Sequence, residues 1–378
     1  MVLPKKLYKK LQDRKANNAF RQLGLNYNLV DFSSNDYLGF SKSETIFDAA
    51  YNYLIDRKLK TNGATGSRLL SGNHSIYTEL ESQLSTIHNC EAALIFNSGY
   101  DANIGFFSSV PQRGDIIFYD EYCHASIRDG IKMSNAKSHK FLHNDLRDLE
   151  KKILRFALND NTDFYIVTES VFSMDGDSPD LVELSKLCDT HNTNLIIDEA
   201  HALGVFQKGL VQQLNLQQNV FARIITFGKA LGCHGAVILS SKDLKDYLIN
   251  FSRSFIYTTA LPPHSVATIK MAYDELTSTK NIKKLQENIS FFKTEIKRIN
   301  FQDKFIFSDS AIQCCIIPNN EKVKSVASTL QDYGYDVKPI LSPTVPKGKE
   351  RLRFCIHSYN SKKEISEVLT LLATFAMQ

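Results

Sequence analysis

The chain has 378 residues, 43% of them hydrophobic and 23% charged, with a formal net charge of +4. That composition excludes a disordered or fibrous polymer, and so small and evenly spread a charge gives no ground for a nucleic-acid partner. No apolar run approaches the roughly 20 residues that would span a bilayer, and the length suits one large and one smaller domain.

The chain begins "MVLPKKLYKKLQDRK". Its basic residues are not followed by an uninterrupted apolar stretch, so it reads as a short amphipathic helix rather than a secretory signal. An N-terminal segment, 1–45, then gives way to a large domain, 46–275. Within it "AALIF", "DIIFY", "FYIVTES", "NLIIDEA", "RIITF" and "GAVILSS" are short, mostly continuous apolar runs, the pattern of strands covered on both faces. Helical stretches separate several of them. In "NDLRDLEKKILRFA", Leu146, Leu149, Ile153 and Ala157 form one stripe behind an Asn144 cap, and "DLVELSKLCDTH" is another helix. Such alternation predicts an α/β fold with right-handed crossovers and a mainly parallel central sheet. From 276 to 378 a long polar helix, "NIKKLQENISFFKTEIKRI", short strands and a final helix, "SKKEISEVLTLLATFAMQ", predict a small α+β domain.

The seven cysteines (Cys90, Cys123, Cys188, Cys233, Cys314, Cys315, Cys355) are odd in number and form no C-x-x-C pair. They read as reduced thiols of a cytoplasmic protein, with no disulfide framework and no structural metal. Cys314 and Cys315 in "AIQCCIIP" read as strand packing.

Ligands of an open parallel sheet gather at the carboxyl ends of its strands. The residues that end these runs are Ser98, His124, Ser173, Asp198, His201, Thr226 and Lys229. "DEAH" at 198–201 could mark a nucleoside triphosphatase, but that needs a G-x-x-x-x-G-K-[ST] loop upstream. "NGATGSRLL" has no lysine and "FGKALG" has the wrong spacing. A partly desolvated lysine, by contrast, becomes a nucleophile toward carbonyl carbon. A carboxylate at a nearby strand end keeps a pyridine nitrogen protonated. Lys229 and Asp198 therefore fit the two ends of pyridoxal 5'-phosphate, with the small residues Gly228, Ala230 and Gly232 letting a flat ring lie against the backbone. The Ser98-Gly99 turn into a helix supplies backbone N–H groups for a phosphate. Thr226 could add a hydroxyl, and His124 could stack on the ring.

Eight collinear motifs, "SSNDYLG", "GATGSRLLSGN", "FNSGYDAN", "ESVFSMDGD", "DEAHALG", "TFGKALG", "YTTALPP" and "RLRFCIH", cover the chain from about residue 30. In this the sequence resembles the α-oxoamine synthases, pyridoxal-phosphate enzymes of the aspartate-aminotransferase fold (fold type I). The resemblance implies that Lys229 carries the cofactor and moves the α-proton, and that Asp198 pairs with the ring nitrogen. It implies that His201 and Ser173 hold the phenolic oxygen and that His124 stacks on the ring. Ser98, Gly99, Tyr100 and Thr226 would surround the phosphate, with Thr259 reaching in from the second subunit of a homodimer with shared active sites. Arg353 would grip the amino acid's carboxylate; read alone, it would be a surface arginine on an edge strand. Asn35, Thr344 and Arg21 fall where the family contacts substrate.

The forms "GSRLLSGN" and "YTTALPP" resemble the branch that condenses L-alanine with a pimeloyl thioester in biotin synthesis. Its partners would be small molecules, with the acyl carrier open between coenzyme A and a carrier protein. Branches using glycine or serine with other acyl groups, and an aminotransferase of the same fold, remain alternatives. One departure stands out. After "DEAHALG" the family runs through a glycine-rich loop, where this chain has "VFQKGLVQQLN" with only Gly209.

Overall fold

A computed structural model describes residues 3–23, 28–156 and 162–376. The chain divides into two compact units. One comprises residues 1–34, 174–176 and 283–378; the other comprises 35–173 and 177–282. The described strands, in chain order, are β1 (Val30–Asp31), β2 (Ala92–Phe96), β3 (Ile116–Asp120) and β4 (Lys137–Phe141). They continue with β5 (Phe164–Glu169), β6 (Asn194–Asp198), β7 (Ala222–Thr226), β8 (Ala236–Ser240), β9 (Ile312–Ile316), β10 (Tyr335–Asp336), β11 (Lys338–Ile340) and β12 (Arg351–Cys355).

The 35–282 unit is built on a seven-stranded sheet in the order β2-β8-β7-β6-β5-β3-β4. Strands β4, β3, β5, β6 and β7 run parallel, as the strand–helix alternation predicts. Strand β8 is antiparallel to both of its neighbours. The link from Thr226 to Ala236 is too short for a crossover helix, which needs a dozen or more residues, so β8 must return the way β7 came.

Continuous apolar runs arise because both faces of this sheet are covered. Ile117, Val167, Ile196, Ile224 and Ile238 face one buried cluster with Phe106, Phe107, Ile127 and Phe255. Their chain neighbours Ile116, Phe118, Ile166, Leu195 and Ile197 face another with Leu149, Ile153, Leu181 and Leu184. Truncating any one of these to alanine would cost about 2–5 kcal/mol.

The helix of "DLVELSKLCDTH" spans Leu181–Thr190, with Asp180 accepting from the Glu183 N–H. That of "NDLRDLEKKILRFA" spans Leu146–Phe156, and Ala157 lies outside the described residues. Asn144 does not cap it. Asp145 Oδ1 accepts from the N–H groups of Arg147 and Asp148, at 3.0 Å each. Asn144 has a positive φ of 55°, and its amide reaches Asp177 Oδ2 at 2.8 Å.

The other unit carries a three-stranded antiparallel sheet, β11-β12-β9, and the short parallel pair β1-β10. Its helices include Lys5–Ala16, Asn281–Arg298 for the most part, and Lys362–Ala376. Cys314 and Cys315 are buried in β9. The Lys5–Ala16 helix buries none of its residues. Among the described residues no helix is long and apolar enough to cross a membrane.

Candidate active site

Strand β6 ends on Asp198, which is 4% exposed. Its Oδ1 accepts the Ala200 N–H at 2.9 Å and its Oδ2 accepts from Asn103 Nδ2 at 2.9 Å. The chain then turns, and His201 lies in the turn. Strand β7 ends on Thr226, and the tight return to β8 is closed by Gly232 N–H to Lys229 O at 2.8 Å and Cys233 N–H to Phe227 O at 2.9 Å. These two turns bring Lys229 Nζ to 2.9 Å from His201 Nε2.

A cavity of about 280 Å³ opens at these strand ends. Asn35, Ser98, Gly99, Tyr100, His124, Asp198, His201, Thr226 and Lys229 all line it, so most of the residues singled out from the sequence come together. Ser173 and Thr259 do not line it. Thr259 is exposed, and its carbonyl accepts from Asn97 Nδ2 at 2.6 Å. Arg21, Thr344 and Arg353 belong to the other unit. There Arg21 and Thr344 are exposed, but Arg353 is not the surface side chain of an edge strand. It is 8% exposed, on the central strand β12, paired with β9 and β11.

Ser98 caps the Gly99–Ser109 helix, its Oγ accepting the Asp101 N–H at 3.0 Å. Backbone donors at such a helix start form an anion site. A Cβ on Gly99 would lie 2.4 Å from Thr226 Cγ2, so only glycine lets the helix start approach β7 this closely. Thr226 Oγ1 is buried and has no hydrogen-bond partner among the described residues. An anion bound at the helix start would satisfy it.

His124 both lines the cavity and caps the Ala125–Met133 helix. Its Nδ1 accepts the Ser126 N–H at 3.2 Å, which leaves the proton of the neutral ring on Nε2. Burial pushes its pKa below the ordinary imidazole value, with Lys229 and Arg128 adding to the push against the pull of Asp198. An uncharged ring facing a flat aromatic ligand is suited to stacking. The residues therefore fit pyridoxal phosphate: an anion cradle with an orphaned hydroxyl, a buried carboxylate, a stacking ring and an amine around one cavity.

The glycines of "TFGKALG" divide by task. Gly228 lines the cavity. Gly232 has φ +61° and its Cβ would collide with Ser41 N at 2.1 Å; it is required by that backbone approach, not by a ring. Ala230 packs where a Cβ on Gly204 would meet it at 2.6 Å. A larger cavity, about 1050 Å³, lies in the other unit. Its lining is mixed-sign surface side chains such as Lys10, Arg14, Glu321 and Lys347, without a comparable convergence.

The sequence profile described as aminotransferase class I and II matches residues 27–372. The chain is 40% identical over 368 residues to an 8-amino-7-oxononanoate synthase of Emericella nidulans, covering 92% of this chain and 89% of that one. It belongs to the α-oxoamine synthase family. Among solved structures, 8-amino-7-oxononanoate synthase from Francisella tularensis is 30% identical, with TM-score 0.77 over 92% of this chain and 97% of that chain. A serine palmitoyltransferase with its PLP internal aldimine is 25% identical, with TM-score 0.89 over 99% and 97%. As an α-oxoamine synthase the chain has the fold type I of pyridoxal-phosphate-dependent transferases, takes that cofactor, and is a C-acyltransferase.

The loop after His201, where the chain departs from the glycine-rich pattern, is organised around a buried ion pair. Glu199, fully buried, accepts from Arg223 Nε at 2.8 Å and from the Val211 N–H at 3.0 Å. Arg223 Nη2 in turn donates to Lys208 O at 3.2 Å. This buried pair shapes the loop, and Gly209 (φ +107°) is the point at which a Cβ would strike the Glu199 carboxylate at 2.7 Å.

Several residues in or beside the cavity, Ser126 and His234 among them, were not singled out in the sequence, and three of these hold its functional side chains. Glu169 ends β5, Asn103 holds Asp198, and Tyr37 Oη lies 2.7 Å from His201 Nδ1. Glu169 satisfies the same strand-end rule that finds Asp198. Asn103 inside a helix and a fully buried Tyr37 carry no such signal.

Proposed function

We propose that this protein condenses L-alanine with a pimeloyl thioester to give 8-amino-7-oxononanoate, carbon dioxide and free thiol, in biotin biosynthesis. The observation that carries the site is the Lys229 amine facing His201 in a cavity that also holds buried Asp198. The choice of substrates is supported by relatives named for that product at 40% and 35% identity.

When bound, the cofactor supplies an electron-withdrawing ring that stabilises negative charge on the α-carbon of the amino acid. Asp198 would hold the proton on the ring nitrogen. His124 would cover the ring face and His201 would hold its phenolic oxygen; Ser173, which does not line the cavity, is assigned to that oxygen by the family resemblance alone. The helix start at Ser98, Gly99 and Tyr100, with Thr226, would hold the phosphate, and Thr259 would complete that site from the second subunit of a homodimer. Lys229 Nζ takes the α-proton and later returns one. Arg353 grips the substrate carboxylate with its planar fork, and Asn35, Thr344 and Arg21 orient the substrates. Holding both substrates in one geometry turns a bimolecular attack into a local one.

A second reading is transfer of a different acyl group to serine or glycine, favoured by the likeness to serine palmitoyltransferase. Carbon dioxide release with alanine, glycine and serine, crossed against pimeloyl, acetyl, succinyl and palmitoyl thioesters, separates the readings. Alanine with pimeloyl is expected to lead in kcat/KM by at least about tenfold, which needs only ~1.4 kcal/mol of differential transition-state binding. A lead for serine with palmitoyl, or glycine with acetyl, overturns the substrate assignment.

A further inference from the structure

Three strands that are neighbours in the sheet, β3, β5 and β6, each end on a buried acid: Asp120, Glu169 and Asp198 are 0%, 3% and 4% exposed. The register pairs Glu169 directly with Asp198. Neighbouring strands lie about 4.8 Å apart and paired residues point to the same face, so two carboxyl groups share one poorly hydrated spot. Two ionised carboxylates that close together are mutually destabilising, and one of the pair keeps its proton.

The partners of each acid decide which one. Asp120 has its own cation: His143 Nδ1 lies 2.9 Å from Asp120 Oδ1, and the other ring nitrogen lies 2.8 Å from Asp177. Asp198 is served by two donors, Asn103 Nδ2 and the Ala200 N–H. Among the described residues Glu169 has a single one, the His124 backbone N–H, 2.6 Å from Oε1. Donors stabilise the ionised form, so the count favours charge on Asp198 and a proton on Glu169.

We propose that Glu169 is a positioning residue that works as a neutral acid: it seats His124 through the backbone N–H and leaves Asp198 as the ionised member of the pair. The proposal rests on the roles of His124 and Asp198 given above. Burial and the neighbouring Asp198 raise the Glu169 pKa, with Asp120 adding to the rise, while Lys229 and the His124 N–H oppose it. The titratable groups around it are Asp198, Lys229, His124, Asp120, the last compensated by His143, and the buried Cys123 thiol, whose pKa burial and then Glu169 push up.

Because glutamine reproduces a protonated glutamate in shape, with an oxygen to accept the same N–H, Glu169→Gln and Glu169→Ala separate the claims. For Glu169→Gln, pyridoxal-phosphate affinity within about threefold of wild type and an unchanged induced circular dichroism of the bound cofactor are expected. For Glu169→Ala, affinity should fall by at least about tenfold and the dichroism should change toward that of His124→Ala. Infrared difference spectra of the cofactor-free protein at neutral pH should show a protonated carboxylic acid band that is absent in Glu169→Gln; this readout stands even if Glu169→Ala fails to fold.

Absence of that band, or a Glu169→Gln variant as impaired as Glu169→Ala, overturns the neutral acid. A Glu169→Ala variant with wild-type affinity and dichroism overturns the positioning role. A His124→Ala variant with unchanged dichroism instead overturns the stacking role of His124 and with it the seating claim, while the infrared band still decides the protonation claim.

Discussion

His201 stands between Lys229 and Tyr37, with Nε2 2.9 Å from the lysine amine and Nδ1 2.7 Å from the tyrosine hydroxyl. Tyr37 Oη donates onward to Asn35 Oδ1 at 3.2 Å. That direction of donation places the ring proton on Nδ1 and a lone pair on Nε2, facing the amine. His201 thus holds Lys229 by accepting from it. Replacing it with phenylalanine should slow capture of pyridoxal phosphate by the cofactor-free protein by roughly tenfold, equivalent to ~1.4 kcal/mol. Stopped-flow absorbance reads this rate, and an unchanged rate would show that the contact does not prepare the lysine.

Asp198→Asn turns one side-chain oxygen into an NH2 group, which must either face the donor Asn103 or the Ala200 N–H. It also removes the charge proposed to keep the pyridine nitrogen protonated. The variant should still bind cofactor but lose on the order of 10² or more in kcat, as when other preorganised electrostatic partners are removed. Turnover at the wild-type rate would assign the ring nitrogen another partner.

His143 bridges Asp120 and Asp177, and these two carboxylates raise its pKa to about 10 against the opposing effect of burial. A cationic group whose folded pKa is raised contributes stability in full below its unfolded value, near 6.5. That contribution is lost as pH rises toward about 10. The difference in unfolding free energy between wild type and His143→Gln should therefore shrink across this window. Urea titrations at several pH values measure it, and a constant difference would mean that His143 is uncharged in the folded protein.

Gly209→Ala and Gly334→Ala both place a side chain at positive φ, +107° and +93°. Only at Gly209 does the new Cβ meet anything within 4 Å, the buried Glu199 carboxylate at 2.7 Å. Backbone strain of about 1–3 kcal/mol applies to both, so Gly209→Ala should be the less stable variant. Equal unfolding midpoints would show that the Glu199–Arg223 pair yields freely.

The sequence made the interior of the sheet legible because strands covered on both faces must be apolar throughout, as in Leu94-Ile95-Phe96 or Ile196-Ile197. Strand β4, "KSHKF", was missed for the complementary reason: it lies at the sheet edge and only Phe141 is buried. Strand direction is not written in residue types, and only the short link after Lys229 betrays that β8 runs backwards. The cavity residues Asp198, His201 and Lys229 were legible because polar groups rarely end buried strands without a task. Arg353 was singled out by the resemblance alone: it sits on the one interior strand of a three-stranded sheet, and nothing in "RLRF" distinguishes that strand from an edge.

The central claim is that Lys229, at the turn between β7 and β8, is the residue to which pyridoxal phosphate attaches. Borohydride reduction of the cofactor-loaded protein, followed by proteolysis and mass spectrometry, tests it most directly. The account predicts a single phosphopyridoxyl adduct on the peptide containing Lys229, absent from a folded Lys229→Ala variant. An adduct on another lysine, or one that persists in Lys229→Ala, would contradict it.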